Sequence, residues 1–151
     1  MNSLRVATLN MLFPNALERP GTWARRSELM STAIERARPD VIGLQEVLPS
    51  TLDELPRLLG DFNALRSSLL IQALTSPGGT ALVDATRTAA PQSGPPVTFH
   101  WGVGATRWGL SIDYVLAETA LRATSCERIG ERDGSLYASD HHLVVVEFSA
   151  Q

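Results

Sequence analysis

The sequence predicts a layered domain of the α/β (α+β) class. Three observations carry this: short apolar runs rich in strand-forming residues recur along the chain, one long segment places apolar residues at helical spacing, and clusters of Pro and Gly separate these stretches. Strands and helices mixed in this way each bury one face and stack around a shared core. At 151 residues the length predicts one domain over residues 1–151, able to hide about 68–70% of its unfolded surface.

Residues 4–9 alternate and end at Asn10, before a loop that holds Pro14, Asn15, Pro20 and Gly21, so a first strand and a turn are predicted. Over residues 22–37, Trp23, Met30, Ala33, Ile34 and Ala37 fall near helical spacing, with Thr22 as candidate N-cap and Pro39 closing the helix. Residues 40–47 contain the continuous apolar run of Val41, Ile42 and Leu44, the pattern of a strand buried on both faces, and this strand stops at Gln45 and Glu46. Ser50 or Thr51 would cap a helix through Leu55, which Pro56 interrupts. RLLGDFN, at 57–63, is compatible with the end of that helix or with a new strand. A second helix is expected over 64–74 through Leu65, Leu69, Leu70 and Leu74, ended by SPGG at 76–79 and followed by Leu82 and Val83. Residues 89–96 and 102–109 carry Pro, Gly and polar residues near Trp101 and Trp108 and are expected as surface loops. Strands are expected over 111–116, 121–129 and 143–148, the last with 144–146 as its buried stretch.

Composition narrows the function. A 44% apolar and 19% charged chain is ordinary for a globular protein and unlike a disordered one. All thirteen basic residues are Arg, without a run of them, and the net charge of -3 argues against broad binding to a polyanion such as nucleic acid. A phosphate group held through a metal is not excluded by that charge. Cys126 is the single cysteine, so no internal disulfide forms and a reducing, cytoplasmic location is expected. The N-terminal MNSLRVATLN lacks the basic and apolar regions of a signal peptide, and the apolar run at 143–146 is far too short to span a membrane.

Five segments, RVATLN, DVIGLQEV, GDFNA, SIDYVL and YASDHH, couple a probable strand to an Asn, Asp, Glu or His. Apolar strands that end this way can bring distant polar residues to one rim. Mg2+ takes oxygen ligands and keeps several waters, so Glu46, Asn10 and Asp140 are fitting ligand types, with Mn2+ as an alternative ion. Hydrolysis of a phosphate ester needs a poised water, and Asp61 beside Asn63 can take its proton and hold it in line. His141 would meet the phosphate as an imidazolium, and Asp113 would fix its tautomer and raise its pKa.

In this order the segments resemble the endonuclease/exonuclease/phosphatase superfamily, which includes DNase I-like nucleases. RVATLN resembles its first strand with an Asn, DVIGLQEV the strand with a metal-binding Glu, and GDFNA, SIDYVL and SDHH its three remaining signature blocks. The resemblance implies a reduced DNase I-like layered β-sandwich flanked by helices, and a Mg2+-dependent hydrolase of phosphodiesters or phosphomonoesters. It implies metal binding by Asn10, Glu46 and Asp140, water activation by Asp61, orientation of phosphate or water by Asn63, and an Asp113–His141 dyad. The residues Thr98, Phe99 and His100 in VTFHW resemble a short block near the substrate, which makes His100 a candidate substrate contact.

The chain also departs from the family pattern. A long central portion, including a block whose His contacts the phosphate, normally separates QEV from GDFN, whereas only residues 48–60 do so here. Losing inner strands would expose sheet edges, through which a homodimer is expected. The alternative to an enzyme is therefore a catalytically inactive or partner-requiring remnant of the fold, acting as a structural or binding module.

Overall fold

The computed structural model describes residues 3–12, 22–46, 59–75, 82–104 and 109–149. The helix expected after Ser50 or Thr51, the SPGG stop and Trp108 lie outside the described residues. The first strand, β1 (Ser3–Asn10), is followed by α1 (Thr22–Ala37), whose bounds match those expected from spacing, and by β2 (Val41–Gln45). Within RLLGDFN a strand forms, β3 (Leu59–Asp61). Helix α2 (Leu69–Thr75) starts five residues later than expected, because Ala64 to Ser68 is drawn into the turn beyond β3. Strand β4 (Leu82–Asp84) leads into the short α3 (Ala85–Thr88) and the two-residue β5 (Gln92–Ser93). The rest is β6 (Asp113–Glu118), β7 (Arg122–Ile129), a small hairpin of β8 (Arg132–Asp133) and β9 (Leu136–Tyr137), and β10 (Leu143–Ser149).

Five strands form one sheet in the order β2-β1-β10-β7-β5, and three form another in the order β3-β6-β4. Their period-two alternation explains the layers. In β1 and β10 the residues Val6, Val144, Val146 and Phe148 join Val115 of β6, Cys126, Ala85 of α3 and Ala89 just after it in one core between the sheets. The intervening Ala7, Leu9, Leu143 and Val145 turn the other way and pack on Met30, Ala33 and Ala37 of α1. On the outer face of β6, Tyr114 and Leu116 pack with Ile71 of α2. The result is a sandwich of two sheets with a helix outside each.

Registers fix the ends of these strands against one another. Val6 lies opposite Val146 in the antiparallel β1–β10 pair, Asn10 opposite Gln45 in the parallel β1–β2 pair, and Asp61 opposite Asp113 in the antiparallel β3–β6 pair. β2 departs from the sequence expectation. It is an edge among the described residues and all five of its residues are only half-buried, because its outer side has no described strand neighbour. Among the described residues no helix is long and apolar enough to cross a membrane.

Gly60 lies where the β2 and β3 edges approach. Its φ of +145° is in a region L side chains rarely adopt, and a Cβ there would sit 3.0 Å from Gln45 Nε2. Gly60→Ala is accordingly expected to lower stability by about 1–3 kcal/mol. Urea unfolding with an unchanged midpoint would contradict this.

Candidate active site

The inner-face alternation that makes the core also makes the site. After Val6 and Thr8, the next residue of β1 on the inner face is Asn10, and Asp61 and Asp113 come to the same end from the opposing sheet. Asn10 is 2% exposed, and its Nδ2 donates to Glu46 Oε1 at 3.0 Å and to Asp61 Oδ2 at 3.1 Å. Two carboxylates thus converge on one amide NH2, the position of partial positive charge between them. Asn10 Oδ1 faces the other way and accepts from Leu12 N–H at 2.9 Å. As a metal ligand Asn10 would have to turn this oxygen inward and give up that bond.

Asp61 is held from both sides, since its Oδ1 accepts from Asn63 N–H at 2.7 Å. This turn places Asn63 at φ 47°, in the left-handed region that Asn tolerates, with its residue exposed at the rim. The turn is anchored from beneath by Tyr114, whose hydroxyl lies 2.8 Å from Ala64 O and 2.9 Å from Ser111 O. Burial, ahead of nearby charges, pushes the Tyr114 phenol up to about 12, so it remains a neutral donor.

Asp113 is 1% exposed. Its Oδ2 lies 2.9 Å from His141 Nδ1, and since a carboxylate only accepts, Nδ1 carries the proton and Nε2 faces the cleft. His141 Nε2 is 3.8 Å from Asp61 Oδ2 and 4.0 Å from Asp140 Oδ1. Ser139 supports this loop: its Oγ donates to Asn10 O at 2.6 Å and accepts from His141 N–H at 3.2 Å. Thr98 supports the other partner, with Oγ1 accepting from the backbone N–H of Ile112 at 3.1 Å and of Asp113 at 3.2 Å, while its carbonyl accepts from His142 N–H at 2.7 Å. Phe99 packs its ring on His141, centroids 4.8 Å apart.

Of the sequence candidates, Asn10, Glu46, Asp61, Asp113, Asp140 and His141 come together, with Asn63 on the rim. His100 does not. It is fully buried, its ring 4.6 Å from Tyr137 and 4.2 Å from His142, and its Nδ1 accepts from Gly104 N–H at 3.1 Å. It is a core histidine behind the site, since the turn at 100–104 folds its ring inward and leaves Trp101 outside. Ser139 and Thr98 were legible as neighbours of the site in SDHH and VTFHW, but not their bridging roles, which depend on backbone groups far away in sequence.

The residue types at this end suit a hard divalent cation: Glu46 and Asp140 offer carboxylate oxygens and Asn10 an amide oxygen, and Mg2+ is commonly bound by one or two carboxylates with water completing its shell. Among the described residues no three acidic, His or Cys side chains form a ready cage, so such an ion would rely on water and substrate for much of its coordination.

The three histidines differ in charge. For His141 burial opposes protonation, but the hydrogen bond to Asp113, the charge of Asp113, then Asp140 and Asp61, together outweigh it and raise its pKa above 6.5. The stability His141 contributes is therefore fully present below 6.5 and is lost as pH rises through the raised folded value. His142 is pushed down to about 3, first by burial and then by His100, His141 and Arg128. It stays neutral where the unfolded chain takes up a proton, so its contribution is lost as pH falls from 6.5 toward 3. Asp113→Asn is expected to lower the His141 midpoint in an NMR titration while leaving the protein folded. An unmoved midpoint would show that Asp113 does not set the charge of His141.

Comparison with known proteins identifies the fold and the family. The Endonuclease/Exonuclease/phosphatase family model matches residues 58–141, more than half of the chain. No curated protein matches the sequence. Among solved structures, the endonuclease/exonuclease/phosphatase from Bacteroides vulgatus is 16% identical with a TM-score of 0.85, the match covering 100% of each chain. Humanized D. rerio TDP2 is 15% identical with a TM-score of 0.60, over 98% of this chain and 99% of that one. A functionally unknown conserved protein from Enterococcus faecalis V583 is 18% identical with a TM-score of 0.55, over 95% of this chain and 50% of that one. The fold is the α/β, DNase I-like one, and with the matched segment running from the end of the undescribed stretch before β3 to His141, the chain belongs to the Endonuclease/Exonuclease/phosphatase family.

Proposed function

We propose that the chain hydrolyses phosphate esters, either phosphodiesters or phosphomonoesters, with a divalent cation, Mg2+ or Mn2+, at the open end of the sandwich. The observation that supports this most strongly is the Asp113–His141 pair, with Nε2 turned toward the cleft that Asp61 and Asp140 share. Glu46, Asp140 and Asn10 are the side chains that would hold the ion. A bound divalent ion would neutralise charge on the phosphate oxygens and fix the ester in place.

The chain's own residues account for the remaining work. Asp61, its orientation set by Asn10 and Asn63, accepts a proton from the attacking water as the water oxygen bonds to phosphorus. The ester oxygen leaves from the opposite side, which inverts the phosphorus centre. Asn63, at the rim, orients the water or the phosphate. His141 as an imidazolium donates from Nε2 to a phosphate oxygen and stabilises the charge that develops there, while Asp113 keeps its ring aligned. The net charge of -3 favours a small phosphate ester over a long nucleic acid.

The test is hydrolysis of bis-p-nitrophenyl phosphate by purified protein with Mg2+ or Mn2+, with EDTA, and in the Asp61→Ala and His141→Ala variants. Turnover should vanish with EDTA, and each substitution should lower kcat/KM by about 100- to 10,000-fold. Turnover insensitive to EDTA and to both substitutions would overturn the reading. A folded protein that turns over neither this diester nor p-nitrophenyl phosphate would favour the inactive remnant instead.

A further inference from the structure

We propose that Arg26 is a positioning residue that fixes the loop after β1 and the loop before β10, which carry Asn10 and His141, relative to one another. The inference rests on the hydrolase reading for its kinetic readout but not for its geometry. Arg26 lies on α1 and is 3% exposed, in line with Met30, Ala33 and Ala37 on the stripe that faces the five-stranded sheet. A guanidinium there is an expensive group to bury and must be matched by acceptors. It is matched by backbone carbonyls of two of the loops that carry the site.

Nε donates to Ala138 O at 3.1 Å, immediately before Ser139, Asp140 and His141. Nη2 donates to Met11 O at 2.6 Å and also to Leu12 O, immediately after Asn10. Leu12 is in turn the residue whose N–H holds Asn10 Oδ1, at a backbone φ of 50°. One rigid planar group therefore governs both the orientation of the Asn10 amide and the start of the Ser139–Asp140–His141 loop. Trp23, one helical turn earlier, packs its ring 5.3 Å from the guanidinium carbon and supports its plane.

Lysine would keep the charge and the apolar stem but offers donors from a single nitrogen. It cannot reproduce a fork that spans Ala138 on one side and Met11 with Leu12 on the other. A displacement of about 1 Å at the reacting groups is enough to lose about 100-fold in rate.

The experiment compares Arg26→Lys with Arg25→Lys, a neighbouring exposed arginine on the same helix that pairs with Asp133. Both variants are assayed below their melting temperatures, and the Asn10 side-chain amide is followed by 15N–1H NMR in EDTA. Arg26→Lys should lower kcat by about 10- to 100-fold with KM changed less than about threefold, and should shift or broaden the Asn10 amide. Arg25→Lys should do neither. An Asn10 amide and a kcat in Arg26→Lys that both match those of Arg25→Lys would overturn the proposal and leave Arg26 a fold-stabilising residue. Arg26→Met, folded at low temperature, serves as a second variant and should move the amide at least as far. A wild type inert toward both substrates would sink the hydrolase reading alone, and the amide resonance would still decide the role of Arg26.

Discussion

Two sheets packed face to face can hold polar side chains between them only where the apolar filling stops. Here Val6, Val115, Val144, Val146 and Phe148 fill the space between the sheets. The same alternation continues past them into Asn10 on one side and Asp61 and Asp113 on the other. Because side-chain direction has period two, a slip of one residue in β1 would carry Asn10 to the α1 face and Leu9 into the gap. The site is thus a consequence of strand register, and the register is held by the core. Asp113 shows the energetic side of this arrangement: it is fully buried, one of its oxygens has no partner among the described residues, and the other bonds His141. An underbonded buried carboxylate is costly to a fold, so the strand register that places Asp113 here works against stability.

Three histidines crowd together behind and within that gap, and like charges this close would repel one another. His100 and His142 sit ring to ring, 4.2 Å between centroids, and burial lowers the pKa of both. Keeping these two neutral removes most of the repulsion His141 would otherwise meet. Three carboxylates then act on His141 without opposition from its neighbours. Burial therefore suppresses charge on two imidazoles and partnership favours it on the third, which confines positive charge to the one ring that reaches the cleft.

Much of this was legible in the sequence where a pattern is local. The helix over 22–37 follows from apolar spacing and a Pro stop, and the site strands follow from short apolar runs ending in polar residues. What the sequence hides is set by partners. The continuous apolar run of β2 reads as a central strand, yet its neighbours make it a half-buried edge. The β8–β9 hairpin has two residues on each side and too little length to show alternation. His100 reads as a loop residue near substrate, but the turn after it folds the ring into the core. Arg26 falls in step with Met30, Ala33 and Ala37, and that phase was visible. A charged residue on an apolar stripe is normally dismissed as snorkelling to solvent, and only the carbonyls around it show otherwise.

The open end of the sandwich is consequently held by a different force from its centre. Apolar contact fixes the middle of the strands, but the loops that carry the site are tied by polar side chains to backbone groups remote in sequence. Ser139 ties the His141 loop to β1, Thr98 ties Asp113 to the strand end at His142, Tyr114 ties the Asp61 turn to β6, and Arg26 ties both flanking loops to α1. A hydrogen bond is directional where apolar contact is not, so four such ties locate side chains more sharply than the same free energy spent on packing. Two of the ties meet at one place, since Ser139 bonds the carbonyl of Asn10 and Arg26 bonds those of Met11 and Leu12 just beyond it as well as that of Ala138, and this is why loosening Arg26, which touches no reacting atom, would reach Asn10 and His141 alike.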